Sequence, residues 1–204
     1  MEELLELDKR LFLEMNSFHN PWLDQIMMFL SSTMAWIPLY LFLFYLLLKN
    51  YRKEIWLVLL AIILTILFAD QITSSLMKPF FARLRPSHEP GLEGLVYIVS
   101  NYKGAKYGFA SSHAANTFGL ATLMWFMLKK YRPWIGIMFL WAICVGFTRI
   151  YLGVHYPGDI LAGQFVGFFS ALAAYYLFLG LKDYTDKKSR LKILALIIFL
   201  CISQ

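Results

Sequence analysis

Three long and nearly uncharged runs are the feature that most limits how this chain folds. They cover 24–48, 55–77 and 160–181, and each is long enough to cross a bilayer core, which needs about 20 helical residues. Two shorter apolar runs, 114–128 and 133–151, span if their ends lie at the membrane interface. Only 16% of the residues are charged, against about 25% in a typical soluble domain. The sequence therefore predicts an all-α, integral-membrane helical bundle.

We expect five to six transmembrane helices, preceded by an amphipathic helix within residues 1–22. The last apolar run, 191–202, is only about half a span, so the sixth helix is marginal. Residues 1–22 lack the basic region and short apolar core of a cleavable signal peptide. Their apolar side chains recur at helical spacing among charges, which is typical of a helix in the headgroup layer, although a packed terminal helix explains the pattern equally well. The side chains in question are Leu4, Leu11, Met15 and Phe18. Residues 23–204 then form one membrane domain.

The positive charges indicate how the helices cross the membrane. Of the nineteen Lys and Arg residues, most lie in three short connectors, 49–53, 129–132 and 182–192. Short basic connectors stay in the cytoplasm, and these follow spans one, three and five, so one orientation satisfies all of them. The net charge of +6 is thus explained without a nucleic-acid partner. The connectors 78–112 and 153–159 then lie on the outer side, which for a bacterial inner membrane faces the periplasm or the exterior.

The outer side carries three clusters of polar residues, each at a predicted helix end. They read KPFFARLRP at 78–86, FASSH at 109–113 and TRIYLGVHYPGD at 148–159. Chain topology brings all three to the same face of the bundle. The connector 78–112 is too long to be a simple turn, and loops of this length in compact domains are usually functional.

The basic residues of these clusters predict a phosphate site. Lys78, Arg85 and Arg149 are cations with few acids nearby, and Arg presents a planar fork to phosphate oxygens while Lys presents a point charge. Ser111 and Ser112 lie where N-caps are expected, at the start of the third span. A helix N-terminus adds free backbone N–H groups and a favourable dipole for an anion.

Two histidines supply reactivity. His155 precedes Asp159 by four residues, and a carboxylate bonded to one ring nitrogen leaves the other nitrogen free and nucleophilic. His113 lies at the mouth of the third span, where it can protonate a departing oxygen. His19 and His88 have no such setting and are interpreted as surface residues. The two cysteines lie in apolar runs without metal-ligand spacing, and no metal site is predicted.

Two further features are less specific. Asp70 is an acid deep within the second span, where acids are often functional, but a hydrogen-bonded strut between helices is the favoured interpretation. Aromatic and basic residues of the long connector either shape headgroup entry or belong to an ordinary interfacial belt. They are Tyr97, Tyr102, Lys103, Lys106 and Tyr107.

The three clusters resemble the signature of the type 2 phosphatidic acid phosphatase superfamily, which also contains the vanadium haloperoxidases. That signature is K-x6-R-P, then P-S-G-H, then S-R-x5-H-x3-D. Lys78 to Arg85 has the six-residue gap, and Arg149, His155 and Asp159 have the five- and three-residue gaps. The departures are Ala for proline, Ser for glycine and Thr for serine, at positions 110, 112 and 148.

The resemblance implies a two-step, metal-independent mechanism without a cofactor. His155 attacks phosphorus and His113 protonates the leaving lipid oxygen; water then hydrolyses the phosphohistidine with His113 as base. Asp159 orients His155. The equatorial oxygens are held by Lys78, Arg85, Ser111 and Arg149. Ser112 is also expected among the substrate-binding residues, where it either narrows the pocket or adds a donor.

The substrate stays open at this point. Small bacterial members of the superfamily often act on undecaprenyl diphosphate, so that membrane lipid is the first choice. Phosphatidylglycerol phosphate, phosphatidic acid and a lipid A phosphate are alternatives. A non-catalytic lipid binder or scramblase is the alternative of another class, and it would tolerate loss of His155. The oligomeric state is not predicted.

Overall fold

The computed structural model describes residues 2–202, with side chains described for residues 2–187. Every regular element in that range is helical, apart from one isolated antiparallel bridge between Leu84 and Tyr107. The helices are α1 (Glu2–Asn16), α2 (Pro21–Ser31), α3 (Ile37–Asn50), α4 (Ile55–Asp70), the single turn α5 (Lys78–Phe81), α6 (Ser112–Leu128), α7 (Ile137–Tyr151) and α8 (Pro157–Ile202). The predicted all-α class is confirmed.

Four of these helical segments are long and apolar enough to cross a membrane: Thr33–Asn50, Ile55–Phe81, Pro133–Tyr151 and Pro157–Lys187. Helix α6 has 17 residues and lies at the centre of the bundle, packed against α4, α7 and α8. Large apolar side chains cover the outer faces of the spans, Trp56 and Phe165 among them. An apolar surface on helices of spanning length is typical of contact with lipid, and the protein is an integral membrane protein.

The first predicted span is shorter than the sequence suggested. Instead of one helix over 24–48, the chain forms α2, an extended residue at Ser32, a 3₁₀ turn at Thr33–Trp36, and then α3. The Ser32 hydroxyl accepts a hydrogen bond from the Met34 N–H and so caps the new turn at 3.3 Å. Local side-chain capping of this kind competes with helix continuation, and hydropathy does not register it.

The second span changes its winding near the site. Helix α4 continues through a π-helical segment, Gln71–Met77, into α5. The chain then leaves the bundle at Ala82, which adopts a left-handed conformation (φ 45°). π-Helical turns are rare and often lie at functional sites. Here the turn sets the direction of Ser74 and Lys78.

Helices α6 and α8 approach each other along a seam of small residues. A Cβ atom added at Gly119 would lie 3.0 Å from the carbonyl oxygen of Gly167, and one at Gly163 or Gly167 would collide with the backbone of α6. Small residues spaced by four let membrane helices pack backbone to backbone. The two helices that carry His113 and Asp159 are therefore in close contact.

The three basic connectors meet at one end of the bundle, as their charges predict. The Tyr51 ring contacts both Tyr131 and Phe178, and the Lys182 ammonium pairs with Glu54 at 3.6 Å. The predicted connector 182–192 is not a loop, because α8 continues through it. The side chains of the marginal sixth span, 191–202, lie outside the described residues.

Helix α1 packs against the end of the bundle opposite the basic connectors. It buries Phe12 and Asn16, and the Asn16 amide donates to the carbonyl of Tyr151 at 2.9 Å. Leu4, Leu7 and Leu11 remain exposed on another face. Of the other residues of the predicted apolar face, Phe18 is likewise exposed, whereas Met15 packs against the cluster around Phe12. The packed face and the predicted face thus overlap only in part, and placement of the exposed side chains in the headgroup layer stays a prediction.

Candidate active site

The three polar clusters converge at the end of the bundle where α1 packs. The long connector folds back along itself through the Leu84–Tyr107 bridge. Near its end, Ser111 donates its backbone N–H to the carbonyl of Asp159 at 2.9 Å, which joins the second cluster to the third. All eight predicted site residues lie at this end.

His155 and Asp159 form a buried, hydrogen-bonded pair. His155 Nδ1 lies 3.2 Å from Asp159 Oδ2, and both side chains are buried. The same Oδ2 atom accepts the Tyr156 N–H at 3.0 Å. Nδ1 is thereby occupied, and Nε2 is the ring nitrogen available to a substrate. Burial lowers the pKa of His155 to about 4, with the hydrogen bond and charge of Asp159 acting in the opposite direction, so the ring is neutral at physiological pH.

Arg83, which was not predicted as a site residue, forms an ion pair with Asp159. Its Nη1 donates to Asp159 Oδ1 at 3.0 Å, and its Nη2 donates to Asp8 Oδ2 at 2.7 Å. The guanidinium stacks over the Tyr156 ring, 4.0 Å from the centroid. The only sequence signal was its place inside the K-x6-R-P motif, two residues before Arg85.

Arg85 and Arg149 are buried, and each has at least one side-chain nitrogen without a hydrogen-bond partner among the described residues. Arg85 donates Nε to the carbonyl of Tyr107 at 3.1 Å, which is the single side-chain bond found for it among the described residues. Burial, and then the charge of Arg149, lowers its pKa below the usual value. Arg149 donates to Ser31 at 2.5 Å and to Tyr102 at 3.2 Å, but its Nε is buried without a partner among the described residues. Buried donors of this kind need an acceptor, and a phosphate oxygen would be a suitable one.

Lys78 is held by serine hydroxyls. Its Nζ donates to Ser112 Oγ at 2.6 Å and to Ser74 Oγ at 3.2 Å. Ser74 in turn donates to Asp70 Oδ1 at 3.2 Å. Ser112, which replaces the glycine of the signature, thus fixes the lysine by joining α6 to the π-helical turn. Asp70 ends this chain of hydrogen bonds: its own bond is to Ser74 of the same helical segment, and it is linked to α6 only through Ser74 and Ser112. Its role as an interhelical strut stays a prediction.

Ser111 is the N-cap of α6, as predicted. Its hydroxyl accepts a bond from the Ala114 N–H at 3.5 Å. Its own N–H is taken by Asp159, so it is not available to a ligand. The first turn of a helix has N–H groups without intrahelical partners, and here those of Ser112 and His113 serve as the candidate anion donors.

His113 faces an apolar cavity of about 510 Å³. Side chains of α3, α4, α6 and α7 line it, including Tyr40, Leu47, Ile66, Leu120 and Trp141. The two residues before His113 fix its place: Ser112 bonds Lys78 and Ser111 bonds the Asp159 carbonyl, so His113 lies at the same end of the bundle as the second histidine. The histidine therefore lies between a polar pocket and an apolar space.

Gly108 is a second residue that sequence reasoning missed. A Cβ atom there would lie 3.1 Å from Asp159 Oδ2, 3.0 Å from Arg85 Cγ and 3.5 Å from His155 Nδ1. The absence of a side chain lets the connector pass directly over the histidine–aspartate pair. The one indication in the sequence that Gly108 belongs to the site was its position immediately before the FASSH segment.

The other two histidines lie outside this cluster. His19 stacks on Tyr97 at a centroid distance of 3.9 Å, and His88 lines a separate cavity of about 380 Å³ formed by the long connector. Of the connector residues proposed for headgroup entry, Tyr102 contacts Arg149 directly.

Among the described residues, no group of three or more His, Cys, Asp or Glu side chains is placed to hold a metal ion.

The fold and the site define a membrane-embedded phosphatase whose pocket combines arginines, a lysine and two histidines. Residues 59–183 match the model of the PAP2 superfamily. The chain belongs to the PAP2 superfamily, and its enzyme class is that of the phosphoric monoester hydrolases.

Relatives support this assignment over most of the chain. The chain is 41% identical over 180 residues to a protein named lipid A 4'-phosphatase from Bacteroides thetaiotaomicron, covering 87% of this chain and 79% of the relative. It is 37% identical over 183 residues to a protein of the same name from Porphyromonas gingivalis, covering 88% and 76%. The crystal structure of Aquifex aeolicus LpxE superposes with a TM-score of 0.61 at 26% identity, covering 83% of this chain and 95% of that one.

Undecaprenyl diphosphate, the substrate first expected from the sequence, is less well supported. A protein named putative undecaprenyl-diphosphatase from Escherichia coli matches at 34% identity over 94 residues, which is 45% of this chain and 44% of the relative. The comparisons therefore favour the lipid A alternative over undecaprenyl diphosphate.

Proposed function

We propose that the protein is a lipid A phosphatase that removes the 4'-phosphate at the outer face of the bacterial inner membrane. The observation that carries the substrate is the 41% identity, over 87% of the chain, to a protein named lipid A 4'-phosphatase. The apolar cavity next to His113 supports a substrate with acyl chains, because it extends the polar pocket among the spanning helices. The basic connectors at the opposite end support the outward-facing site.

In the first step His155 Nε2 attacks phosphorus in line, and the bond from phosphorus to the lipid oxygen breaks. His113 gives its proton to that oxygen, which leaves as a hydroxyl on the lipid. Asp159 keeps the proton on Nδ1 and stabilises the positive ring. His113 is then unprotonated and ready for the second step.

In the second step a water molecule attacks the phosphohistidine while His113 takes its proton. The bond from Nε2 to phosphorus breaks, and inorganic phosphate leaves with both histidines restored. Arg85, Arg149 and Lys78 hold the equatorial oxygens in both steps. Fixed cations directed at the charge of the transition state provide most of the rate enhancement in phosphoryl transfer, and in this proposal they do so without a metal ion.

The test is phosphate release by the detergent-solubilised protein from a panel of lipids. The panel contains lipid A with both phosphates, undecaprenyl diphosphate, phosphatidylglycerol phosphate and phosphatidic acid, each with and without EDTA and vanadate. We expect lipid A to react fastest, mass spectrometry to show loss of the 4'-phosphate, EDTA to have no effect and vanadate to inhibit.

Three outcomes would contradict separate parts of the proposal. Faster release from undecaprenyl diphosphate would overturn the substrate. A requirement for added metal would overturn the mechanism. Lipid binding or transbilayer movement that survives in His155→Ala, with no phosphate release by the native protein, would favour the binder or scramblase.

A further inference from the structure

Helix α1 contributes a charged residue to the hydrogen-bond network around the proposed nucleophile. It lies outside residues 59–183, the part matched by the family model. Asp8, on its inner face, has a side chain only 14% exposed and makes two short contacts with the rest of the protein. One is to Arg83 at 2.7 Å and the other to the backbone N–H of Gly158 at 2.7 Å.

The contact with Gly158 completes the cap of α8. In a capping box, one side chain accepts from an N–H of the first turn and a second reaches back to the N-cap N–H. Asp159 fills the second role through the Tyr156 N–H at 3.0 Å. Asp8 fills the first role for the Gly158 N–H, from a point 150 residues away in sequence. The turn that carries His155 and Asp159 is therefore fixed from both sides.

The fit around this contact is close. A Cβ atom at position 158 would lie 2.7 Å from Asp8 Oδ2, so the carboxylate reaches the helix end only because residue 158 is glycine. One turn further along α1, Phe12 packs edge-on against the Tyr156 ring with centroids 5.4 Å apart. The helix thus contacts the catalytic turn at two successive positions of one face.

The contact with Arg83 ties the same carboxylate to Asp159. Arg83 holds one oxygen of Asp8 and one oxygen of Asp159 with its two terminal nitrogens. Asp159 meanwhile uses its other oxygen for His155. Removing the Asp8 charge leaves the arginine with a single carboxylate partner, so it is free to move toward Asp159 and pull that side chain from the histidine.

We propose that Asp8 is a positioning residue for the proposed nucleophile, acting through Arg83 and the first turn of α8. The inference rests on the role of His155 in the proposed function. Asp8 does not touch the substrate in this scheme; it fixes the orientation of the carboxylate that orients the imidazole. The N-terminal helix is then part of the catalytic apparatus.

The test compares Asp8→Asn with Glu14→Gln, which removes the same charge from an exposed position of the same helix. Rates with a lipid monoester are expressed per vanadate-binding site, so that only folded pockets are counted. We expect Asp8→Asn to lower kcat by about 10- to 100-fold, with KM and vanadate affinity within about twofold of the native protein. Glu14→Gln is expected to leave all three unchanged.

A double-mutant cycle identifies the route of the effect. If Asp8 acts through Arg83, then Asp8→Asn added to Arg83→Gln lowers kcat much less than it does alone. Fewer vanadate-binding sites with an unchanged kcat per site would show a purely structural residue and overturn the inference, as would a rise in KM alone. Turnover that persists in His155→Ala would instead overturn the proposed function.

Discussion

The two halves of the candidate active site differ in how tightly the protein encloses the histidine of each. On the side of His155 that faces Asp159, the Asp8, Arg83 and Asp159 side chains form one continuous network that ends on the ring atom Nδ1. His113 is exposed and borders an apolar cavity. A nucleophile needs one fixed tautomer and a dry setting, whereas a proton donor must meet a leaving group that belongs to the lipid. We call the surroundings of His155 the closed half and those of His113 the open half. The closed half is suited to the phosphate group, which is the same in every substrate, and the open half to the lipid, which differs between substrates.

The first test of this comparison removes the closed-half histidine. His155→Ala should lower phosphate release by roughly 10⁴-fold or more, because no other group replaces the nucleophile. Acid quenching with labelled substrate should trap phosphate on the native protein and none on the variant. His19→Ala, at an exposed ring stacked on Tyr97, is the control and should keep full activity.

Removing the open-half histidine should give a smaller effect that depends on the substrate. His113→Ala should slow release from a lipid monoester by about 10²- to 10⁴-fold, the usual contribution of a general acid. With an aryl phosphate, whose leaving oxygen needs no proton, the formation of the phosphoenzyme should be affected much less. Equal losses with both substrates would contradict the role of His113 as proton donor.

Adding one methyl group at Gly108, where the long connector passes over the histidine–aspartate pair, should lower kcat by about 100-fold. Gly108→Ala places a Cβ atom 3.1 Å from Asp159 Oδ2 and so displaces the histidine–aspartate pair. Gly180→Ala makes the same chemical change in α8, where a Cβ atom would meet nothing within 4 Å. Kinetics of the two variants side by side separate the local clash from the general effect of alanine.

The hydroxyl of Ser112 should have the next largest influence. Ser112→Ala removes the 2.6 Å bond that holds Lys78, and we expect kcat/KM to fall by about tenfold, in line with loss of one hydrogen bond to a charged group. Ser112→Gly should behave similarly, since it restores the residue of the family signature but not the hydroxyl. Unchanged kinetics in both variants would show that the π-helical turn positions the lysine by itself.

The smallest expected effect is the pH dependence that His155 gives to kcat/KM and to the free energy of unfolding. Because burial lowers the pKa of His155 to about 4 from an ordinary value of 6.5, its protonation should not reduce kcat/KM until the pH approaches 4. The unfolded chain binds this proton more readily, so the free energy of unfolding should decline as the pH falls from 6.5 to 4. Thermal unfolding of the native protein and of His155→Gln across this range measures the contribution.

Much of the site was predictable from the sequence because fixed spacing at helix ends is a local property. The gaps among Lys78 and Arg85, and among Arg149, His155 and Asp159, identified the cluster before any geometry was known. The apolar runs likewise predicted the α4, α7 and α8 spans. Both kinds of signal depend on residues close together in the chain.

The remaining features depend on contacts between distant segments. Asp8 meets Gly158 across 150 residues, and nothing in the pattern of the first helix distinguishes it from its exposed neighbours. Ser112 seemed to be a departure from the phosphate-binding motif, yet its hydroxyl is used by Lys78. The break at Ser32 was missed since a hydropathy average does not register a single capping hydroxyl.

The glycine seam between α6 and α8 determines where the pocket can open. With backbone against backbone at Gly119, Gly163 and Gly167, these helices have no flexible side chains between them to accommodate sliding. Any widening for a bulky lipid must therefore occur on the far wall of the cavity, where α3 is joined to the rest through the bend at Ser32. The α6–α8 wall, which carries both the proposed general acid and the carboxylate, is thus fixed, and in this proposal the lipid is accommodated at the α3 wall.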